Sequence, residues 1–511
     1  MASQGLLTLP TELLQEIGEY LGYDTNNLWA ANKRLYDALS PNVFRCITIN
    51  IKRTCLSSGL SLISLLSTRN VHWAGYVKKL KIKAICPYYP VISKRYAVYG
   101  SLPDRFANDE EQGWLDIAEE LMNEHLGPAI SSLENVTVVE WYPTHEDLVF
   151  TRKIIIHSLV CLPITDLLLE SEKMSPFACR LPPFRHLNGL RRLTIRGYLG
   201  NTLDQISEAI ANSSELEDLT IDIRSFPARP GVPPPVRHKL DEAFSKIPSA
   251  LQLRLSHITL GGLAMDLNLA HARNHLRKLT SLTILDIHVQ TSGLWTVLQQ
   301  CGVKLRHLSC HAVEDALILY LKSYVGLEEL SLSLVHAQPF RSSLEIELQF
   351  YTEVIPHHAT TLKHVYIVAA FLKSWALRVQ YIPSFLGCLE LRSLTVSAHS
   401  IWREQGNNPI RSLLLGILSL PKLESLRFVV QVNESGSSPS LPEQREERRN
   451  IVRIQKAIQG TALRTSRAKH SCPRLKPGIH VAEYTYFYRL HEGDNNTVVY
   501  RPVLSRPQLT C

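Results

Sequence analysis

A six-residue pattern, Leu-x-x-Leu-x-Ile, recurs along most of this chain and constrains its fold more than any other feature. The clear copies, which allow other apolar residues in the last position, occupy residues 190–195, 216–221, 279–284, 305–310, 327–332, 391–396 and 423–428. Weaker copies are centred on Leu80, Val136, Leu167, Leu253 and Val365. From Val136 onward neighbouring centres lie 22 to 35 residues apart. Alternation of apolar residues within each copy predicts a strand, and the regular spacing predicts a repeat protein.

Helical patterns fill the segments between these strands. The residues that recur at helical spacing are Leu203, Ile206 and Ile210, then Leu294, Val297, Leu298 and Cys301, then Leu414, Ile417 and Leu418. Strand, helix and parallel strand form the unit of an α/β solenoid. We therefore predict a solenoid over residues 51–432, with parallel strands on its concave face and helices on its convex face. A general α/β domain with several leucine-rich strands is the alternative.

The first fifty residues have a different, helical pattern. Leu13, Leu14, Ile17 and Leu21 recur at helical spacing, and Gly22 follows as a left-handed stop. A second predicted helix starts after Asp24 and ends at Ser40-Pro41. Since so short a module cannot bury all of its apolar side chains internally, we expect some of them to face a partner or the next domain.

The residue order of this module resembles an F-box. The chain reads Leu-Pro-x-Glu-Leu-Leu-x-x-Ile-x-x-Tyr-Leu from Leu9, then Asn-Lys-Arg-Leu-Tyr from Asn32, then Pro-x-Val-Phe-Arg-x-Ile from Pro41. One departure is Lys33, which stands where many F-boxes carry the arginine. The resemblance implies an F-box over residues 1–50 that binds the adaptor of SCF ubiquitin ligases and, through it, cullin. An ordinary helical cap on the solenoid is the alternative.

The remainder of the chain resembles leucine-rich-repeat proteins, although the asparagine that usually follows each strand is largely missing. Together the two parts are similar to F-box/leucine-rich-repeat receptors. That resemblance implies a non-catalytic subunit that recognises a protein substrate for ubiquitin transfer. A leucine-rich-repeat scaffold that acts outside a ligase is the competing function. The predicted adaptor-binding residues are Leu9, Pro10, Leu13, Leu14, Ile17, Leu28, Leu35 and Tyr36.

Residues that alternate with the strand leucines are predicted to form the substrate-binding face. They include Arg192, Arg196, Asp218, Asp222, His307, His311 and Tyr366. We expect Arg192 and Arg196 to lie beside Asp218 and Asp222, as exposed cross-strand ion pairs or as a substrate clamp. The histidines have no spacing that fixes metal-ligand geometry, so no metal site is expected.

Three stretches interrupt the repeats. An aromatic-rich insertion lies near residues 86–114, and a proline-rich loop lies near residues 226–239. Residues 433–450 have the composition of a disordered linker, and residues 451–511 form a basic C-terminal segment. Within that segment Ile451, Ile454 and Ile458 predict an amphipathic helix, and residues 480–504 predict a hairpin. The basic helix is either a solvated face or a site for acidic partners, membranes or import receptors.

Charge and composition narrow the function further. The net charge of the 511 residues is +8. Because the stretch from Arg445 to Lys476 holds ten Lys or Arg and two Glu, it accounts for the whole surplus and argues against a nucleic-acid binder. No apolar run is long enough for a membrane span, and no signal peptide is evident, so we expect residence in the cytoplasm or nucleus. The chain has no nucleophile elbow or phosphate-binding glycine loop, and we expect neither catalysis nor a cofactor.

Overall fold

The protein is described from a computed structural model. The described residues are 6–87, 109–144, 147–171, 186–197, 203–223, 238–265, 269–285, 291–334, 344–369, 375–398, 408–430, 441–459, 462–464, 478–481, 486–493 and 497–503. The chain forms two compact units, Met1–Leu255 with Gly261–Leu263, and Ser256–Leu260 with Ala264–Cys511. Residues 88–108, 224–237 and 431–440, which hold most of the predicted aromatic insertion, the proline-rich loop and part of the predicted linker, lie outside the described residues.

Unit 1 begins with three short helices, α1 (Thr11–Leu21), α2 (Thr25–Ala31) and α3 (Lys33–Val43). Gly22 ends α1 with a positive φ of 57°, which favours glycine, but its ψ of −117° is not that of the predicted left-handed cap. The predicted second helix is in fact broken at Asn32, whose extended backbone and side-chain acceptor cap α3. The predicted stop at Ser40-Pro41 was wrong, since Pro41 lies inside α3. Because proline has no backbone N–H, α3 lacks the hydrogen bond from residue 41 to the Asp37 carbonyl.

The sheet of unit 1 starts directly after these helices. Its strands are β1 (Cys46–Lys52), β2 (Lys79–Cys86), β3 (Val138–Trp141), β4 (Asp166–Glu170), β5 (Arg192–Gly197) and β6 (Asp218–Ile223). Each pairs in parallel with the next. The other elements are α4 (Leu56–Ser67), α5 (Asp109–Ser131), α6 (Val149–Leu159), α7 (Leu203–Ala211) and β7 (His238–Lys239). Since β1 begins at Cys46, the strands start ahead of the predicted boundary at residue 50.

Unit 2 repeats the same arrangement. Its parallel strands are β8 (His257–Gly261), β10 (Ser281–Ile284), β11 (His307–Cys310), β12 (Glu329–Ser333), β13 (His364–Val368), β14 (Ser393–Ala398) and β15 (Ser425–Val430), with the short β9 (Leu263–Ala264) after β8. Its helices are α8 (Ser292–Gln300), α9 (Asp315–Lys322), α10 (Leu344–Gln349), α11 (Ile355–His357), α12 (Ile382–Leu386) and α13 (Pro409–Gly416). The chain thus has an α/β fold compatible with a solenoid.

The C-terminal part of unit 2 extends this sheet. Its elements are α14 (Leu441–Gln459), β16 (Ala462–Arg464), β17 (Gly478–Val481), β18 (Tyr486–Gly493) and β19 (Thr497–Val503). β17 pairs in parallel with β15, and the predicted hairpin of β18 and β19 is confirmed, with β18 antiparallel to β17. Because α14 begins at Leu441, residues 441–450 are helical, and the linker prediction was wrong for them.

The strand register shows where the core lies. All seven clear copies of the repeat pattern form paired strands, and their central leucines are buried in one row of each sheet. Two weak copies were misplaced. The strand centres are Val139 and Ile258 instead of Val136 and Leu253, because Val139 pairs with Leu80 and Ile258 with Leu282. Among the described residues, no helix is both long enough and apolar enough to cross a bilayer.

Candidate functional site

The three N-terminal helices enclose a small core of their own. It consists of Leu14, Leu35, Ala38 and Leu39, with Leu7, Leu9, Leu28 and Trp29 packed against it. Polar contacts tie the helices together: Asn42 Nδ2 donates to the Gln15 carbonyl at 2.6 Å, and buried Thr25 Oγ1 donates to the Gly18 carbonyl at 2.6 Å. The module is therefore held by both packing and hydrogen bonds between its helices.

A second set of apolar residues on α1 faces outward. Pro10, Leu13, Ile17, Tyr20 and Leu21 follow one another at spacings of three and four residues, which places them on one side of the helix. Leu13 is 43% exposed, Leu21 42% and Tyr20 96%. Pro10 is also exposed, and Ile17 is half-buried. We call these five residues the α1 stripe. The stripe lies beside Leu14 and Gly18, the residues of α1 that are buried. The apolar side of α1 is therefore wider than the part of it that packs in the core.

Acidic side chains border the α1 stripe. Glu12, Glu16 and Glu19 are exposed. Their spacing of four and three residues places them along one border of the stripe, and Leu14 lies along the other border. Glu19 forms an ion pair of 3.0 Å with Arg45, and both side chains are more than half exposed. A partner that covers the stripe therefore meets an apolar centre with an acidic rim.

The eight predicted adaptor-binding residues separate into three groups. Leu14 and Leu35 are 0% and 3% exposed, so their assignment to adaptor contact was wrong because they form the module's core. Leu9 and Leu28 are half-buried against that core, and Tyr36 stacks on Trp29 with ring centroids 4.8 Å apart. Pro10, Leu13 and Ile17 lie on the α1 stripe.

Sequence reasoning missed Tyr20 and Leu21 as surface residues. A signal was present, because Tyr20 is seven residues after Leu13 and Leu21 is four after Ile17. A shallow depression at the N-terminal ends of α1 and α3 is lined by Thr11, Asn32, Lys33, Arg34, Asp37 and Ala38, of which all but Ala38 are exposed.

On the polar face of unit 1, the predicted juxtaposition is present in the strand register. Arg192 is aligned with Asp218, and Arg196 with Asp222. Arg192 Nε also lies 2.5 Å from Asp166 Oδ1 on β4, a partner that the sequence did not indicate. Arg192 and Arg196 are exposed, whereas Asp222 is only 7% exposed. Asp222 therefore offers a partner little surface.

A lysine–carboxylate cluster lies on the same face. Glu140 forms ion pairs with Lys79 and Lys81 and accepts a hydrogen bond from the Tyr142 hydroxyl at 3.2 Å. Partial burial acts to raise the pKa of the Glu140 carboxyl, but the hydrogen bonds and charges of the two lysines outweigh it and lower that pKa overall. The two lysines thus hold Glu140 in its ionised form.

On the polar face of unit 2, small hydroxyl residues surround the predicted side chains. Tyr366, 36% exposed, is aligned with Ser331 and Thr395 on its two neighbouring strands. His307 Nε2 lies 3.9 Å from Glu329, and His311 Nδ1 lies 2.7 Å from the Ser333 carbonyl. Within the described ranges, no three His, Cys, Asp or Glu side chains are arranged to hold a metal ion. This face therefore presents hydroxyl, imidazole and phenol groups.

Comparison with known proteins adds no assignment. No protein-family model matches the chain, and no curated protein matches its sequence.

Proposed function

We propose that this protein is a substrate receptor of an SCF-type ubiquitin ligase. The observation that supports this function is the α1 stripe, an apolar surface left exposed on a module that already has its own core. Contiguous exposed apolar residues bordered by polar ones are characteristic of protein-interaction sites. The proposal joins that surface to the F-box resemblance of the same residues.

In this proposal α1 docks into an apolar groove of the SCF adaptor. Helices that bind in grooves use anchors at i, i+3, i+4 and i+7, which is the spacing of Leu13, Ile17 and Tyr20. Tyr20, near the C-terminal end of the stripe, provides a large contact area at small entropic cost. We expect basic residues at the rim of the adaptor groove, opposite the acidic border of α1. Such charge complementarity increases the association rate.

The strand faces of the two units then hold the substrate. Their exposed side chains, such as Arg192, Arg196 and Tyr366, offer charged and aromatic contacts to a polypeptide. The receptor contributes proximity, and holding two reactants together is by itself a large rate term. Ubiquitin transfer is carried out by the rest of the complex.

The test is co-expression of the full-length chain with the SCF adaptor, followed by size-exclusion chromatography. We expect a one-to-one complex that is lost in the double variant Leu13→Glu with Tyr20→Glu, because both side chains are exposed and charge there opposes burial in a groove. The matched control is Ile117→Glu with Val149→Glu, which introduces the same charge at exposed apolar positions of α5 and α6 in unit 1.

Circular dichroism of each variant establishes that it is folded. A folded stripe variant that still binds the adaptor would remove the docking claim. A wild-type chain that ignores the adaptor would favour the scaffold function, in which the stripe binds a different protein.

A further inference from the structure

The polar face of unit 2 carries an arginine whose charge has no partner. Arg427 is half-buried in β15, where Thr395 of β14 is aligned with it on one side. Neither β14 nor β17, the neighbour on the other side, contains an aspartate or a glutamate. Within the described ranges Arg427 forms no ion pair and no side-chain hydrogen bond. Its guanidinium group is therefore available to an anion from outside the chain.

No carboxylate of the same face lies close enough to neutralise Arg427. On β8 and on β10 to β15, the positions that alternate with the buried core residues hold one carboxylate, Glu329 of β12. Because β12 is three strands from β15, the two backbones are about 14 Å apart, which exceeds the Debye length of about 10 Å at 0.1 M salt. In unit 1, by contrast, Arg192 already pairs with Asp166. The polar face of unit 2 therefore has an uncompensated positive charge at Arg427.

Hydroxyl groups beside Arg427 add hydrogen-bond donors. Thr395 is only 7% exposed, yet its hydroxyl has no hydrogen-bond partner among the described residues. Ser393 and Ser425 are aligned with each other two residues earlier on the same two strands. A hydroxyl group rotates to donate where an acceptor is present, and a guanidinium group pairs bidentately with a carboxylate. These side chains together offer a carboxylate more donors than the arginine alone.

Charge and distance identify the ligand more closely. A single arginine balances the single charge of a carboxylate, whereas a phosphate group carries a charge of about −1.5 to −2. Tyr366, 36% exposed, lies two strands from Arg427, or about 10 Å away. An extended polypeptide covers that distance in about three residues, at about 3.3 Å each. A carboxylate and an apolar side chain three residues apart can therefore contact Arg427 and the ring of Tyr366 at the same time.

We propose that the polar face of unit 2 binds an extended polypeptide segment through one acidic side chain on Arg427 and an apolar side chain, three residues away, on Tyr366. The inference rests on the proposed function in so far as this segment belongs to the substrate of the receptor. It adds the chemical class of the segment, an acidic residue at a fixed distance from an apolar one, and the residues that recognise each of them.

Fluorescence anisotropy of the full-length chain tests this proposal, with a labelled Gly/Ser peptide that contains Glu and Phe three residues apart. We expect this peptide to bind about ten-fold more tightly than the same peptide with Gln in place of Glu, because a hydrogen bond to a charged group is stronger by about that factor. Arg427→Gln should remove the difference and leave the affinity for the Gln peptide unchanged, which isolates the pair of charges. The control Arg411→Gln removes the charge of an exposed arginine on α13 and should preserve the difference.

Circular dichroism establishes that Arg427→Gln is folded, and the comparison of the two peptides on the wild type needs no variant of the protein. Equal affinities of the wild type for both peptides, or a preference for Glu that survives in Arg427→Gln, would overturn the assignment. Tighter binding of a phosphoserine peptide would overturn the choice of a carboxylate. An unchanged affinity after Phe is replaced by Gly in the peptide would overturn the contact with Tyr366.

Adaptor binding separates this test from that of the proposed function. Arg427→Gln should bind the adaptor like the wild type, since Arg427 belongs to unit 2 and the α1 stripe to unit 1. A wild type that ignores the adaptor but prefers the Glu peptide would contradict the proposed function alone. A wild type that binds the adaptor without preferring the Glu peptide would contradict this inference alone.

Discussion

At the scale of single residues, His358 shows how a buried polar side chain can stabilise unit 2. It is 0% exposed, its Nε2 lies 3.0 Å from the Leu321 carbonyl, and its Nδ1 accepts from the Leu327 backbone N–H at 3.4 Å. This arrangement satisfies both ring nitrogens of a neutral imidazole. Burial, and secondly the charge of His357, lower the pKa of His358 from 6.5 to about 4.

The lowered pKa predicts that unit 2 loses stability in mild acid. The unfolded chain takes up a proton below pH 6.5 while the folded His358 stays neutral down to about pH 4. The contribution of His358 is therefore fully present above pH 6.5 and falls by about 3 kcal/mol as the pH drops to 4. Urea unfolding of the wild type and of His358→Gln across this range measures the effect as the difference between the two curves. Parallel curves would show that His358 does not titrate on unfolding.

Gly59 is a position at which a methyl group does not fit. On α4 an added Cβ would lie 2.5 Å from the Asn50 carbonyl oxygen of β1. Gly59→Ala should therefore lower the free energy of unfolding by about 1–3 kcal/mol, because the backbone contact cannot relax as a side chain would. Thermal unfolding measures this loss of stability, with Gly113→Ala as the control. An added Cβ at Gly113 meets no atom within 4 Å, so that change should be neutral or stabilising by up to about 1 kcal/mol. Equal effects at both positions would contradict the packing argument.

At the scale of helices and strands, Asn32 separates α2 from α3 and orients the N-terminal module. Its Oδ1 accepts from the Arg34 backbone N–H at 2.8 Å. Asn32→Ala should cost about 1 kcal/mol, the usual contribution of a helix cap, and increase hydrogen exchange of the α3 amides by about five-fold. Mass spectrometry of exchange checks this against Asn26→Ala, an exposed residue within α2. Unchanged exchange in α3 would mean that the cap contributes little.

The sequence predicted elements well where their pattern was unambiguous. Leu193 and Leu330 stand at the centres of clear copies, and both are buried in paired strands. Near β3, in contrast, Leu133, Val136 and Val139 are spaced by three, so the pattern fits at two positions. The pairing of β3 with β2 decides between the two positions, because it places Trp141 beside Ile82 in the core. A local pattern carries no information about that pairing.

At the scale of the whole molecule, exposure depends on packing that no single segment encodes. Leu13 and Leu14 are adjacent and chemically identical, yet one is 43% exposed and the other 0%. Only the position of α3 against α1 distinguishes them. The same holds for Arg192, whose ion pair with Asp166 follows from which strands are neighbours. The sequence therefore indicated that an apolar helix surface and a charged strand surface exist. The fold determined which of their residues a partner can reach.

The C-terminal elements of unit 2 also protect the sheet that precedes them. β17 pairs with β15 along four residues, and α14 places Ile454 and Ile458 next to α13 and β15. A chain truncated after Val430 exposes the edge of β15 and the apolar surface beneath α14. Repeat proteins need such terminal covers, and exposed strand edges promote aggregation. We expect larger particles by light scattering and hydrogen exchange in β15 that is faster by about ten-fold or more, since two or more hydrogen bonds of about 1 kcal/mol each are lost.

Truncation after Val503 is the matched control, because it retains every described element. Exchange in β5 of unit 1 should be the same in both truncated chains, since stability in a repeat array is largely a nearest-neighbour property. If the chain ending at Val430 stays monodisperse with unchanged exchange in β15, the C-terminal elements are an appendage and not a cover. If exchange rises in β5 as well, the array unfolds as one cooperative body, and the nearest-neighbour description does not apply to it.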